Sequence, residues 1–366
     1  MDKLLENGKI AARQFAMLVF MFTAGSSLLL APAMLATPAK QDAWLAGILG
    51  VGAGLLFGLL YTKLGSLYPE MNLAQYSEKI LGKWMGKAVS LLFLPFPFLL
   101  ASLVLRNIGD FLTVYIMPET PIQFIHILML IVVMMGVRLG IETIARAAEI
   151  IFPWFILLFL LLVVFVSPQI DVQKMQPVLE EGMKPVLHGA LLFAAYPFME
   201  FVTFLFIIPY VNRPKKVGKA FFAGTCMGGT VIVLLTALSI LVIGPDLTAR
   251  DLYPSYVLAQ KINIGDFLQR IEAIIAGLWF ITIFFKLSLS FYATTLSLAQ
   301  ILNLKEYRML VFPLGMMVVV FSLASSPNIV YNFTTILETW LFFAGTFGLL
   351  LPLFLLGVAA IRKRLS

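Results

Sequence analysis

The chain is poor in charge. Only 12% of its 366 residues are Asp, Glu, Lys or Arg, against about 25% in a soluble globule. That excludes an ordinary soluble enzyme or binding module. Cysteine is nearly absent: Cys226 stands alone. No disulfide can form within the chain, and no CxxC or Cys/His cluster offers a zinc or redox centre. His126 and His188 are the two histidines. Both are placed near the outer surface without a partner pattern and are read as incidental. There is no phosphate-binding glycine loop and no nucleophile triad. Neither an enzyme, a metal nor a cofactor is expected. A cleavable leader is not expected either. Met1 to Lys9 is polar, the next apolar run is too long for a signal peptide, and no small-residue cleavage site closes it.

What the chain has is apolar surface. Hydrophobic residues make up 61% of it, and apolar runs near 20 residues recur, as bilayer-spanning helices require. The pattern predicts an all-α polytopic membrane protein, one domain over 1–366, in contact with the lipid bilayer. Ten spans are expected, at roughly 11–36, 43–62, 88–113, 121–138, 147–167, 186–210, 217–244, 270–301, 309–326 and 332–361. The net charge of +7 is spread over short loops and is not gathered on a soluble face, so nucleic acid is not indicated. The loops on the side of both termini hold 18 of the 26 Lys and Arg residues. By the positive-inside rule both termini are cytoplasmic.

Two spans are interrupted near their middles. Ala24-Gly25-Ser26-Ser27 breaks the first, which also carries Pro32. Tyr196-Pro197-Phe198-Met199-Glu200 breaks the sixth. Irregular backbone at membrane depth survives only where it lines a buried site, and paired interruptions at corresponding positions point to a transporter-type site. The halves also share a glycine-rich second span (Gly47, Gly50, Gly52, Gly54, Gly58 against Gly218, Gly224, Gly228, Gly229). Each is followed by a Tyr-Pro loop, at Tyr68-Pro69 and Tyr253-Pro254. Five spans per half make the second copy inverted, with repeats at about 11–167 and 186–361. After Asn72, the residues Leu73, Tyr76, Ile80, Leu81 and Trp84 share one face. Asn72 and Gln75 form a capping pattern, which predicts an interfacial helix.

The candidate site follows from the breaks. Gly25, Ser26 and Ser27 expose amides at the start of the half-helix from Leu28, which suits a carboxylate. Pro197 lacks an amide, so the carbonyls of Phe193, Ala194 and Ala195 are expected to be free for an ammonium. Ala195, Tyr196, Met199 and Glu200 therefore join the site, with Phe96, Phe98 and Ser102 of the proline-kinked third span as further lining. Together the breaks would hold a zwitterion such as an amino acid. Proline and glycine merely kinking packed helices is the simpler alternative. Glu200, Lys286 and Glu338 are the deep charges. They are compatible with a structural ion pair, a titrating site, or an ammonium standing where other transporters bind sodium. Glu149 with Arg146 and Arg106 with Asp110 are read as local helix pairs near the interfaces.

Taken together these segments resemble the spore germination permease family, the B subunits of germinant receptors in endospore-forming bacteria. The resemblance spans the whole chain. It rests on the first break running to Pro32, on Leu67-Tyr68-Pro69-Glu70 with Tyr76-Ser77-Glu78-Lys79-Ile80-Leu81-Gly82-Lys83, and on Tyr196 to Glu200 leading to Pro209. It rests also on Ile264-Gly265-Asp266-Phe267-Leu268-Gln269-Arg270-Ile271-Glu272 followed by Trp279. It implies membership of the amino acid–polyamine–organocation superfamily and a LeuT-like fold with broken helices 1 and 6. It implies a germinant pocket among spans 1, 3, 6 and 8, and partner A and C subunits in the spore inner membrane. Gly25-Ser26-Ser27 departs from the Gly-Ser-Gly common among related transporters. The readings that remain open are a germinant-sensing receptor subunit and a proton-coupled amino acid permease of the cell membrane, with an ion channel that opens after binding compatible with either.

Overall fold

A computed structural model describes residues 5–261, 272–326, 328–331 and 337–365. The segment Ile264 to Ile271, singled out above, lies outside the described residues, as does the side chain of Glu338. The regular elements among the described residues are all helical, apart from a single parallel bridge between Ile10 and Val211. Its first span is split into α1 (Ala12–Ala24) and α2 (Ser27–Ala39). The second is α3 (Ala43–Leu67), followed by the short α4 (Leu73–Leu81). The third is split at Leu94, just before Pro95, into α5 (Lys83–Phe93) and α6 (Pro95–Tyr115). The fourth and fifth are α7 (Ile122–Leu139) and α8 (Ile141–Val166). The sixth starts as α9 (Met183–Phe193) and loses α-helical form. The seventh is α10 (Val217–Ile243), followed by short α11 (Pro245–Arg250) and α12 (Pro254–Gln260). The eighth is α13 (Glu272–Ile301) and the ninth α14 (Val311–Ala324). A single turn, α15 (Ile329–Tyr331), precedes the tenth, formed by α16 (Leu337–Ala344) and α17 (Leu351–Leu365). Among the described residues these helices make up ten spans, with the expected interruptions in the first and sixth.

The glycines explain how the broken spans are held. On α3, a Cβ at Gly50 would come 2.6 Å from the Phe193 ring, and one at Gly54 2.5 Å from the Phe198 ring. On α10, a Cβ at Gly224 would meet Ala16 O at 2.5 Å, and one at Gly228 would meet Thr23 Cβ at 2.7 Å. The second span therefore lies tight against the sixth, and the seventh tight against the first. That is one contact repeated by an inverted pair of halves. With lipid as solvent, such close backbone approach is a main source of association between helices. The Tyr-Pro loops also match: one leads into α4, the other into α12.

α4 forms as its sequence predicts. The Asn72 side chain accepts from the Gln75 amide at 3.1 Å, and Gln75 Oε1 in turn accepts from the Asn72 amide at 3.0 Å. Leu73, Tyr76 and Ile80 are buried, while Trp84 just beyond is 86% exposed. Trp84 thus lies off the buried face on which its spacing placed it. The helix ends at Gly82 with φ 89°, and α5 starts a new axis there.

Candidate functional site

At the first break, Gly25 still donates to Met21 O at 2.9 Å, and the next helix starts at Ser27. The first amides of α2 have no partner inside the helix and carry its positive end. At the second break, Ala194–Phe198 is irregular and Tyr196 is extended at φ −131°, ψ 101°, with a cis bond to Pro197. Beyond it the chain does not resume as an α-helix. Met199–Phe206 winds as a tighter 3₁₀ helix, longer than the usual three or four residues. The three carbonyls expected to be free are not all free, because Ala194 O accepts from the Met199 amide. The wider turn around Pro197 finds that carbonyl a partner further along the chain.

Lys286 of α13 sits at the junction of the breaks. Its Nζ lies 2.6 Å from Glu200 Oε2, and both side chains are fully buried. The ammonium also lies over the Tyr196 ring at 4.4 Å and the Phe22 ring at 5.3 Å. Such cation–π contacts strengthen when desolvated. Trp340 Nε1 donates to Glu200 Oε1 at 2.9 Å. Glycine is required at position 25 by this ammonium's stem. A Cβ there would stand 2.7 Å from Lys286 Cδ and 2.9 Å from Phe22 O. Tyr196 lies beside Ser26 and Asn107. Among the described residues the buried hydroxyls of Ser27, Thr203 and Ser288 have no hydrogen-bond partner.

A cavity of about 540 Å³ opens above the second break, on the side of α11. Met34 of α2, His188 and Leu192 of α9, Asp251, Tyr196 and Trp340 are among its walls. Tyr196 and Trp340 each touch the cavity and the ion pair, so they separate the two. The lining is mostly apolar, as in small-molecule sites generally.

The remaining sequence candidates divide. Met199 and Ala195 are buried at the second break, and Ala195 reaches the cavity. Phe96 stacks on Trp340 with ring centroids 5.7 Å apart, which places it behind Glu200. Phe98 instead packs edge-on against Phe321 of α14 at 5.1 Å. Ser102 donates back to Phe98 O at 3.0 Å, within its own helix. Neither contact reaches the ion pair. Glu149 does not pair with Arg146. It faces α1, with Arg13 at 2.9 Å and Gln14 Nε2 at 2.8 Å, while Arg146 takes Glu142 one turn earlier on α8 at 2.5 Å. The packing of α1 on α8 supplied a nearer cation. Arg106 and Asp110 do pair, at 2.8 Å, but are buried, and Arg106 also donates to Ser326 O at 2.8 Å. His126 is buried too, 2.9 Å from Ser322 Oγ.

Sequence reasoning missed three residues. The Tyr61 hydroxyl donates between Gly348 O at 2.7 Å and Met199 O at 3.1 Å, bridging the 3₁₀ stretch to the tenth span. Its position on the α3 face of Gly54 and Gly58 was a usable signal. Trp340 carried no such mark. Glu6, on the face of the N-terminus, accepts from the hydroxyls of Tyr292 and Tyr307 and from the Ile141 amide at the start of α8. Its donors lie 135 to 301 residues away in sequence, so no local pattern announces them. The same arm pairs with the end of the sixth span, Ile10 N–H donating to Tyr210 O at 2.8 Å and Asn212 N–H to Ile10 O at 2.9 Å.

Residues 9–330 match the family profile of the spore germination protein permeases. The chain belongs to that family. A relative in Bacillus subtilis, spore germination protein KB, is 33% identical over 98% of this chain and 97% of its own length. Spore germination protein YndE of the same organism is 25% identical over 97% of this chain and 98% of its length. Among solved structures, the chain is similar to Mhp1, a nucleobase-cation-symport-1 family transporter. The TM-score is 0.69 with 11% identity, over 93% of this chain and 78% of that one. It is also similar to MhsT, solved in complex with L-phenylalanine, with TM-score 0.65 and 15% identity, over 95% and 88%. The fold is therefore LeuT-like, and the germination family member is a multi-pass membrane protein. The resemblance read from the motifs holds.

Proposed function

We propose that this protein is the membrane subunit of a spore germinant receptor and binds a small nutrient, an amino acid, between its two helix breaks. The observation that carries the reading is the juxtaposition at Gly25. The Ser26 and Ser27 amides adjoin Gly25, the Lys286 stem packs against it, and the ammonium at the end of that stem lies over the Tyr196 ring, beside a largely apolar cavity. A ligand carboxylate fits the positive end of α2, and its ammonium fits the remaining carbonyls of the second break. Binding there shifts the relative position of the broken spans, and A and C subunits in the spore inner membrane read that shift. Both termini face the cytoplasm, and the cavity opens to the other side. The two repeats, about 11–167 and 186–361, are supported by the reciprocal glycine contacts of α3 and α10.

The test is ligand-dependent stabilisation of the full chain in lipid nanodiscs, with the twenty standard L-amino acids as probes. A binder at a hundred times its Kd stabilises by about 2.7 kcal/mol. Gly25→Val is expected to abolish the stabilisation while the protein still reaches the membrane. Normal binding by Gly25→Val would reject the site. A proton-coupled permease is the second reading, favoured by the buried Glu200–Lys286 pair. Uptake of the same amino acid into proteoliposomes, driven by a pH gradient, separates it from a sensor.

A further inference from the structure

Pro32 lies inside α2 and has no amide. In an α-helix the amide of residue 32 would serve the carbonyl of residue 28. Leu28 O is therefore orphaned, and Leu28 is fully buried, one residue beyond Ser27. In this protein the missing donor comes from 227 residues away. Ser255 Oγ, on α12, donates to Leu28 O at 2.8 Å, and Ser255 is itself fully buried. α12 is anchored on its other flank. The Tyr256 ring lies 5.4 Å from Phe111 and 5.2 Å from Tyr115, both on α6. A second tie is weaker: Thr37 Oγ1 reaches Ala249 O at 3.4 Å, just ahead of α12.

A buried carbonyl needs a partner. Pro32 thus makes the first turn of α2 dependent on an element outside its own helix. We propose that Ser255 is a positioning residue of the binding site. Its hydroxyl replaces the absent amide of residue 32 and holds the first turn of α2, with the Ser26 and Ser27 amides, in fixed relation to α6 through α12. The role in binding rests on the reading of the first break given above. The tie itself does not.

The two are tested separately. Hydrogen–deuterium exchange on the full chain in nanodiscs, without ligand, tests the tie. Ser255→Ala is expected to speed exchange of the α2 amides about tenfold, the loss of one buried hydrogen bond. Pro32→Ala restores an intrahelical amide to Leu28 O. In that background Ser255→Ala is expected to change exchange by less than about twofold. Unchanged exchange in Ser255→Ala, or the same acceleration with and without Pro32, overturns the tie. Titration with whichever standard L-amino acid stabilises the unmodified chain tests the positioning role. Ser255→Ala is expected to raise the half-saturating concentration about tenfold at an unchanged maximal shift, and Ser255→Thr, which keeps the hydroxyl, to restore it. Unchanged affinity in Ser255→Ala overturns the positioning role. If no amino acid stabilises the unmodified chain, the proposed function and the positioning role fall while exchange still decides the tie.

Discussion

At the scale of single residues, Glu200 and Lys286 dominate. Each is a fully buried ionisable side chain, and each is compensated by the other at 2.6 Å. Removing one partner of such a pair costs about 3–5 kcal/mol, because the other is left uncompensated. Glu200→Gln should therefore lower the unfolding temperature strongly. Adding Lys286→Met to it should recover stability, since an apolar replacement of both partners is often tolerated. Ligand response should stay lost in the double variant, because the ammonium over the Tyr196 ring has gone. Recovery of response along with stability would make the pair structural only. Glu149→Gln is the control. Its pair with Arg13 is partly exposed, and such pairs contribute under about 1 kcal/mol.

At the scale of elements, the N-terminal arm deserves the next experiment. Glu6 is buried and takes three donors from three parts of the chain. Ile10 is paired to the chain that leaves the sixth span. The arm thereby joins the start of the first span and the end of the sixth to α8 and α13. Glu6→Ala would leave buried donors unmet, at about 1–3 kcal/mol. Thermal unfolding should show that loss, and Glu6→Gln, which keeps acceptor capacity, should lose less. Equal behaviour of the two variants would show that the acceptor role is not what stabilises the arm. α4 is the contrasting case. Its capping bonds and buried face are all local, and its sequence announced them correctly except for Trp84.

At the scale of the whole molecule, the inverted fold makes a topological prediction. Leu247 in α11 is 55% exposed, and Glu70 before α4 is exposed. Single cysteines at these positions, in a Cys226→Ala background, should react with an impermeant thiol reagent from opposite sides of the membrane. Glu70→Cys should react from the side of the termini. Labelling of both from one side would reject the ten-span arrangement. Tyr253, just before α12, and Ser255, on it, would be poor reporters, because both are fully buried.

The sequence alone determined the features that follow from spacing and solvent. Apolar runs long enough for a bilayer, proline and glycine at two mid-span positions, and the Asn72–Gln75 cap are local facts, and each appeared where expected. The partners of charged and polar groups were decided only in three dimensions. Glu149 chose Arg13 over Arg146, Ala194 O found the Met199 amide, and Leu28 O found Ser255. Phe98 turned towards α14 while Phe96 backed Trp340. The physical reason is that a buried polar group must be satisfied by whatever the packing brings within about 3 Å. Helix periodicity says which face a residue occupies, but not which distant donor the tertiary fold will set against it.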